Sequence, residues 1–171
     1  MLTPAQLLAL KNDILADSAL NFQPNTSDGA FAIAAAYNLN AAPDFWVWRS
    51  QVSKDELVTS VSVDGTTFNW TGSGFISRSA GEQAAWRELF SAEGFVDPSL
   101  PNVRQAFADI FSGSQSPAPA NRTHLLAVAR RKGTRAEKLF ATGTGSTGSP
   151  ATMGFEGPLQ YQDIQAARNL P

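Results

Sequence analysis

The residues best placed to do chemistry lie late in the chain. Gly143-Thr-Gly145-Ser-Thr-Gly148 spells GxGxxG, the spacing by which a dinucleotide fold brings its backbone against a pyrophosphate. That chemistry needs a strand before the glycines and a helix after them. Here a basic segment precedes them, Ser149-Pro150 follows, and no Lys-Ser/Thr pair completes a P-loop. A glycine-rich polar run of this kind reads as a linker or a docked arm. His124 is the only histidine and there are no cysteines, so thiolate metal sites, disulfides and a cysteine nucleophile are excluded. A Ser-His-Asp triad would have to use His124, but no GxSxG elbow is present, and Gly72-Ser-Gly74-Phe-Ile reads as loop. His124 is therefore expected to be structural or interfacial. No alternating Asp/Asn run supplies a calcium loop.

Paired carboxylates could act as general acid and base. The candidates are Asp55, Glu56, Glu82, Glu88, Glu93 and Asp109. Asp55, Glu56 and Glu82 fall at first-turn and capping positions, where a negative charge has a structural reason to be. Glu88 and Asp109 read as solvated helix faces. Nothing singles out a catalytic pair, and the chain reads as a non-enzyme without cofactor or metal.

The strongest charge pattern is NRTHLLAVARRKGTRAEKLF, residues 121–140, read as a basic helical segment with a break at Gly133. It holds six of the thirteen cations, Arg122, Arg130, Arg131, Lys132, Arg135 and Lys138, against the single carboxylate Glu137, in a chain of net charge −2. Such a face either stays solvated or meets phosphates or an acidic protein surface. Beyond it, ATGTGSTGSP has almost nothing to bury, and ATMGF has β-compatible residues for a short strand. Together they read as an arm completed by a neighbour, with Thr142, Thr144, Thr152, Met153, Phe155, Leu159 and Tyr161 as its docking residues.

The elements around this segment follow from local signals. A hydrophobic fraction of 43% with 16% charge describes a folded domain. Thr3 and Pro4 start a helix whose stripe is Leu7, Leu8, Leu10, Ile14 and Leu15. Ser27 or Asp28 is expected to cap an alanine-rich helix, and Ser53/Glu56, Ser79/Glu82 and Thr134/Glu137 fit capping boxes. The helix begun at Ser79 is expected to run to Gly94. Val103, Ala106, Phe107, Ile110 and Phe111 form another helical stripe. Asp64-Gly65 within TSVSVDGTTFNW predicts a β-hairpin near 61–70. Phe45, Trp46, Trp48, Phe68, Trp70, Phe75 and Trp86 are expected to build core, although such rings could stack on bases or sugars. The expected fold is mainly α: a small helical bundle with one β-hairpin over residues 1–140, and an extended C-terminal arm with a short strand and terminal helix over 141–171. No apolar run is long enough for a membrane span and no signal peptide is recognisable, so a soluble protein made in a cytoplasm is expected. The sequons at Asn25, Asn69 and Asn121 read as chance.

NVRQAFADIFSG, NRTHLLAVARRKGTRAEKLFATGTGS and PATMGFEGPLQYQDIQAAR, with LTPAQLLALKNDI, DGAFAIAAAYN and FWVWRS, resemble small virion structural proteins of tailed bacteriophages. Within that group the plan is similar to head-to-tail connector, or adaptor, proteins of the neck. The resemblance implies a homo-oligomeric ring that contacts the portal protein and tail or neck proteins. It implies non-specific contact with genomic DNA, no membrane partner, assembly in the host bacterial cytoplasm and a final place in the virion. Whether the basic residues meet DNA or protein stays open. A tail-completion or capsid-decorating protein is the alternative, with a phage enzyme or a DNA-binding regulator as further ones.

Overall fold

A computed structural model describes residues 1–90 and 94–171. The fold is mainly α. The helices are α1 (Pro4–Ala16), α2 (Ser18–Asn21), α3 (Ser27–Tyr37), α4 (Lys54–Thr59), α5 (Ala80–Leu89), α6 (Pro101–Ile110), α7 (Ala118–Val128), α8 (Arg135–Phe140) and α9 (Tyr161–Arg168). The strands are β1 (Trp46–Trp48), β2 (Val52–Ser53), β3 (Phe95–Val96) and β4 (Arg130–Lys132). The chain divides into two compact units, and not at residues 140/141. Unit 1 is Met1–Val47 with Lys132–Pro171, and unit 2 is Trp48–Arg131.

Unit 1 is built on α1, α3, α8 and α9. Thr3 accepts from the Gln6 N–H while Gln6 reaches back to the Thr3 N–H, and Pro4 occupies the first turn, where its missing N–H costs nothing. Thr26, one residue before the expected cap, accepts from the Gly29 N–H and starts α3. The stripe expected on α1 is only partly used: Leu10 and Ile14 are buried, whereas Leu8 and Leu15 are exposed. Ile33, Ala34 and Tyr37 of α3, Ala136 of α8, and Ile164 and Ala167 of α9 are buried with them.

The glycine-rich run belongs to this unit's own interior. Thr142 and Thr152 exchange backbone hydrogen bonds of 2.8 and 2.9 Å, and Trp46 donates to Gly145 O (2.7 Å) and accepts from the Ala151 N–H (2.9 Å). Gly145 has φ +65 and a Cβ there would overlap the Phe45 ring, while a Cβ on Gly154 would crowd the Phe140 carbonyl. These two glycines serve close approach, not flexibility. Ala151 packs with Ala41, Phe45 and Val47. Further on, the Asn38 side chain donates to Leu159 O (3.0 Å) and accepts from the Leu159 N–H (2.8 Å). The arm is thus completed by its own chain.

The basic segment is broken before Thr134 as expected, and its first helix also ends earlier than Gly133. Helix α7 ends at Val128, β4 follows, and the Thr134/Glu137 capping box opens α8. The backbone at the break is already committed: Gly133 donates to Phe45 O (2.8 Å) and accepts from the Ala41 N–H (3.0 Å).

Unit 2 is an aromatic core with helices α4 to α7 around it. Phe68 sits 5.8 Å from Trp86 and 5.6 Å from Phe111, ring centre to centre, with Phe75 beside them. Val52 pairs with Val96 and Ser53 with Phe95 in the antiparallel β2–β3 sheet. The turn expected at Asp64-Gly65 forms, but without strands. Gly65 donates to Ser62 O and Ser62 to Thr66 O, both at 2.9 Å; the Asp64 and Thr66 N–H groups donate to the Ser62 hydroxyl, and the Asn69 backbone is met by α7. Asn121, fully buried, accepts from the Asn69 N–H (2.8 Å) and donates to Asn69 O (3.2 Å). His124, also fully buried, places Nε2 2.8 Å from Leu57 O and Nδ1 3.2 Å from the Thr66 hydroxyl. Side chains of one helix thus take the part of a second strand. The two-stranded pair of this unit is β2 with β3. Gly72–Ile76, expected as loop, is a π-helical turn. Helix α5 opens with its expected capping box. The expected continuation to Gly94 crosses residues 91–93, and these, with Glu93, lie outside the described residues.

Two substitutions test these assignments by urea denaturation. Gly145→Ala should cost about 2–4 kcal/mol through backbone strain and overpacking. Gly148→Ala, in the same run, has open space at its Cβ position and should be close to neutral, whereas a linker would tolerate both. Asn121→Ala should cost about 2 kcal/mol, because it strands the Asn69 amide groups without partners.

Candidate functional site

The six cations are divided between the two units. Arg122, Arg130 and Arg131 belong to unit 2, and Lys132, Arg135 and Lys138 to unit 1. Arg122 Nη1 donates to Phe111 O and to Gly113 O (3.0 Å), covering carbonyls at the end of α6. Arg130 pairs with Asp64. Arg131 is half-buried in β4. Lys132 pairs with Asp44 at 2.7 Å. Exposed pairs of this kind contribute about 0–1 kcal/mol, yet each sets a carboxylate against the cation that a phosphate would have to displace.

Arg135 makes the most extensive set. Its guanidinium donates to Asp13 and to Asp17, both at 2.8 Å, and lies 4.6 Å over the Tyr37 ring. Tyr37 donates its hydroxyl to Asp13. Asp17 also accepts from the Ala19 and Leu20 N–H groups at the start of α2. The Arg135 hydrogen bond, followed by the Leu20 N–H, holds the Asp17 carboxyl below its ordinary value of 3.8. Burial alone would lower Arg135, but its bonds to Asp13 and Asp17 outweigh that and push it up. Burial, and then the bond to Asp13, push the Tyr37 phenol up. The group is thus a fixed ion triad with a neutral phenol attached.

Beside the triad, unit 1 contains a cleft of about 640 Å³. Ala36, Leu39 and Leu139 supply apolar wall, and Asp13, Arg135 and Lys138 supply charge. Lys138 is exposed, its ammonium 5.8 Å from the Phe45 ring centre. Asp13 and Asp17 lie four residues apart at the end of α1, a spacing that sets two carboxylates on one helix face. That signal was readable in the sequence; their joint partner was not.

The docking residues expected on the arm have partners within unit 1. Thr142 and Thr152 pair through their backbones, and the Thr144 hydroxyl donates to Ser149 O at 3.0 Å. Met153 packs against the Ala41–Phe45–Val47–Ala151 cluster. Phe155 meets Phe140 at 5.6 Å, Tyr161 stacks on Phe31 at 4.3 Å, and Leu159 is core.

Of the carboxylates, Glu56 caps α4 and pairs with Arg49 at 2.8 Å. Asp55 stands in the first turn of α4. Glu88 is exposed, and Asp109 accepts from Gln105 at 2.8 Å. Glu82 and Asp109 line one groove of about 190 Å³. The Ser79 N–H and hydroxyl keep the Glu82 carboxyl below its ordinary value, which suits a cap and not a proton donor. Among the described residues, no group of three His, Asp or Glu could hold a metal ion, and no helix is long and apolar enough to cross a membrane. Comparison with protein-family models, curated proteins and solved structures gives no significant match to this chain.

The triad sets a pH dependence. With its folded-state pKa lowered, Asp17 contributes stability above the ordinary value of 3.8, and this is lost as pH falls through the folded value. Asp17→Asn keeps a good helix cap but removes the charge. It should be less stable than the parent at about pH 6, with the difference shrinking as pH falls below the ordinary value of 3.8; urea titrations at a series of pH values measure it.

Proposed function

We propose that this chain is a non-enzymatic virion component of tailed bacteriophages, a head-to-tail connector or adaptor subunit that bridges portal and tail in a ring around the DNA channel. The sequence resemblance supplies the setting. The observation that carries the mode of action is the apolar surface of unit 1. Phe22 is 90% exposed and Leu39 68%, and Leu8, Leu15 and Phe31 are exposed as well. Leu8 and Leu15 stand two turns apart on the same side of α1. Burying a side chain of this size contributes about 1.5–3 kcal/mol, so a few of them can hold a subunit in a ring.

This reading moves the assembly contact. The arm residues and most of the basic residues have partners in the same chain, so the neighbour is met by exposed hydrocarbon instead. A cyclic ring uses two different patches on each subunit, and an apolar patch on one subunit meets a complementary one on the next.

Two measurements test the proposal. Quantitative mass spectrometry of purified particles should find the chain at the copy number of the portal protein. A large excess over portal would assign it to capsid decoration, and absence from particles would end the virion reading. In a complementation assay, Phe22→Ser combined with Leu8→Ser should abolish incorporation and leave the melting temperature of the purified protein within about 2 °C of the parent, since neither side chain is core.

A further inference from the structure

We infer that the cleft of unit 1 is a binding site for a small amphipathic monocarboxylate, its carboxylate on Lys138 and its apolar stem against Leu39 and Leu139. The inference does not depend on the virion reading. At about 640 Å³ the cleft lies within the range of small-molecule sites, which combine apolar walls with a few placed polar groups.

The charges lining it choose the sign of the ligand. Asp13 is paired with Arg135 and accepts the Tyr37 hydroxyl, both at Oδ2. Arg135 has one guanidinium nitrogen on Asp13 and another on Asp17. Lys138 differs from both: its only polar contact among the described residues is the face of the Phe45 ring, so one cation in the wall is left to be matched. A single carboxylate matches it, a second carboxylate would face Asp13, and an ammonium would be repelled. Asn40 also lines the cleft. Its exposed amide makes no side-chain hydrogen bond among the described residues and adds a donor.

The apolar half has its own signature. Leu39 is 68% exposed at this cleft, hydrocarbon left in water directly after α3. Ala36, Ala41 and Ala42 are small and leave room beside it. An aliphatic stem laid against Leu39 and Leu139 removes that surface from water while its head group stays with Lys138.

The test uses the full chain, labelled with ¹⁵N, and titrates it with octanoate and separately with octylammonium. Octanoate should produce saturable shifts at amides of residues 36–42 and 135–139, with a dissociation constant of about 1 mM for a ligand of about ten heavy atoms. Lys138→Gln should weaken binding roughly fivefold to tenfold, and Lys138→Arg should restore it. Leu39→Asp should weaken it similarly by placing a like charge at the stem. Both positions are exposed, so the variants should fold, which their melting curves verify. The inference is overturned if octanoate leaves those amides unshifted at about 20 mM, twenty times the expected constant. It is equally overturned if Lys138→Gln binds octanoate as tightly as the parent, or if octylammonium binds as tightly as octanoate.

Discussion

Three backbone groups in the segment 45–46 fix most of unit 1. A buried carbonyl or N–H left unpaired costs free energy on the scale of a lost hydrogen bond, and this segment is not flanked by a long regular strand. Phe45 O takes the Gly133 N–H, the Trp46 N–H takes Gly145 O, and Trp46 O takes the Ala151 N–H. Three distant stretches of chain are pinned by that one requirement. It explains why α7 is not continued into α8, because Gly133 cannot be both helical and paired to Phe45. It also explains a glycine at 145, where the backbone must lie against the Phe45 ring.

Unit 2 solves a similar problem with side chains. The stretch from Val61 to Asn69 has an outward-facing Val61 and Val63 and an inward-facing Phe68, a pattern suited to a strand, yet among the described residues no second strand lies alongside it. Asn121 and His124, three residues apart on α7, supply the missing donors and acceptors. Asn121 presents an amide to an amide, the geometry of a strand pair reduced to one residue. Both side chains are fully buried and fully used, which gives His124 a structural reason to be present.

The parts legible in the sequence are those decided within four residues. Ser53/Glu56, Ser79/Glu82 and Thr134/Glu137 form their capping boxes, because each is a local exchange of hydrogen bonds. The stripe Phe107, Ile110 and Phe111 is buried as its spacing implies. What sequence spacing cannot carry is the identity of distant partners. Glycine serves a linker and a close approach equally well, and only the Phe45 ring decides between them at residue 145. Arg135 finds its carboxylates 118 and 122 positions away, so a row of cations that reads as one outward face is divided among carbonyls, carboxylates and aromatic rings. The cleft beside Lys138 was illegible for the same reason: its walls come from α1, α3 and the segment after it, and α8.

The division of unit 1 into two stretches of sequence has a consequence for synthesis. Residues 48–131 form a contiguous stretch, so unit 2 has its whole core in hand while the rest of the chain is still being made. Met1–Val47 is made before unit 2 but packs with residues made after it. Asn38 waits for Leu159, Asp13 and Asp17 for Arg135, and Trp46 for Gly145 and Ala151. Until then α1 and α3 expose their alanine and leucine faces, and the pieces that cover them are made only after the whole of unit 2.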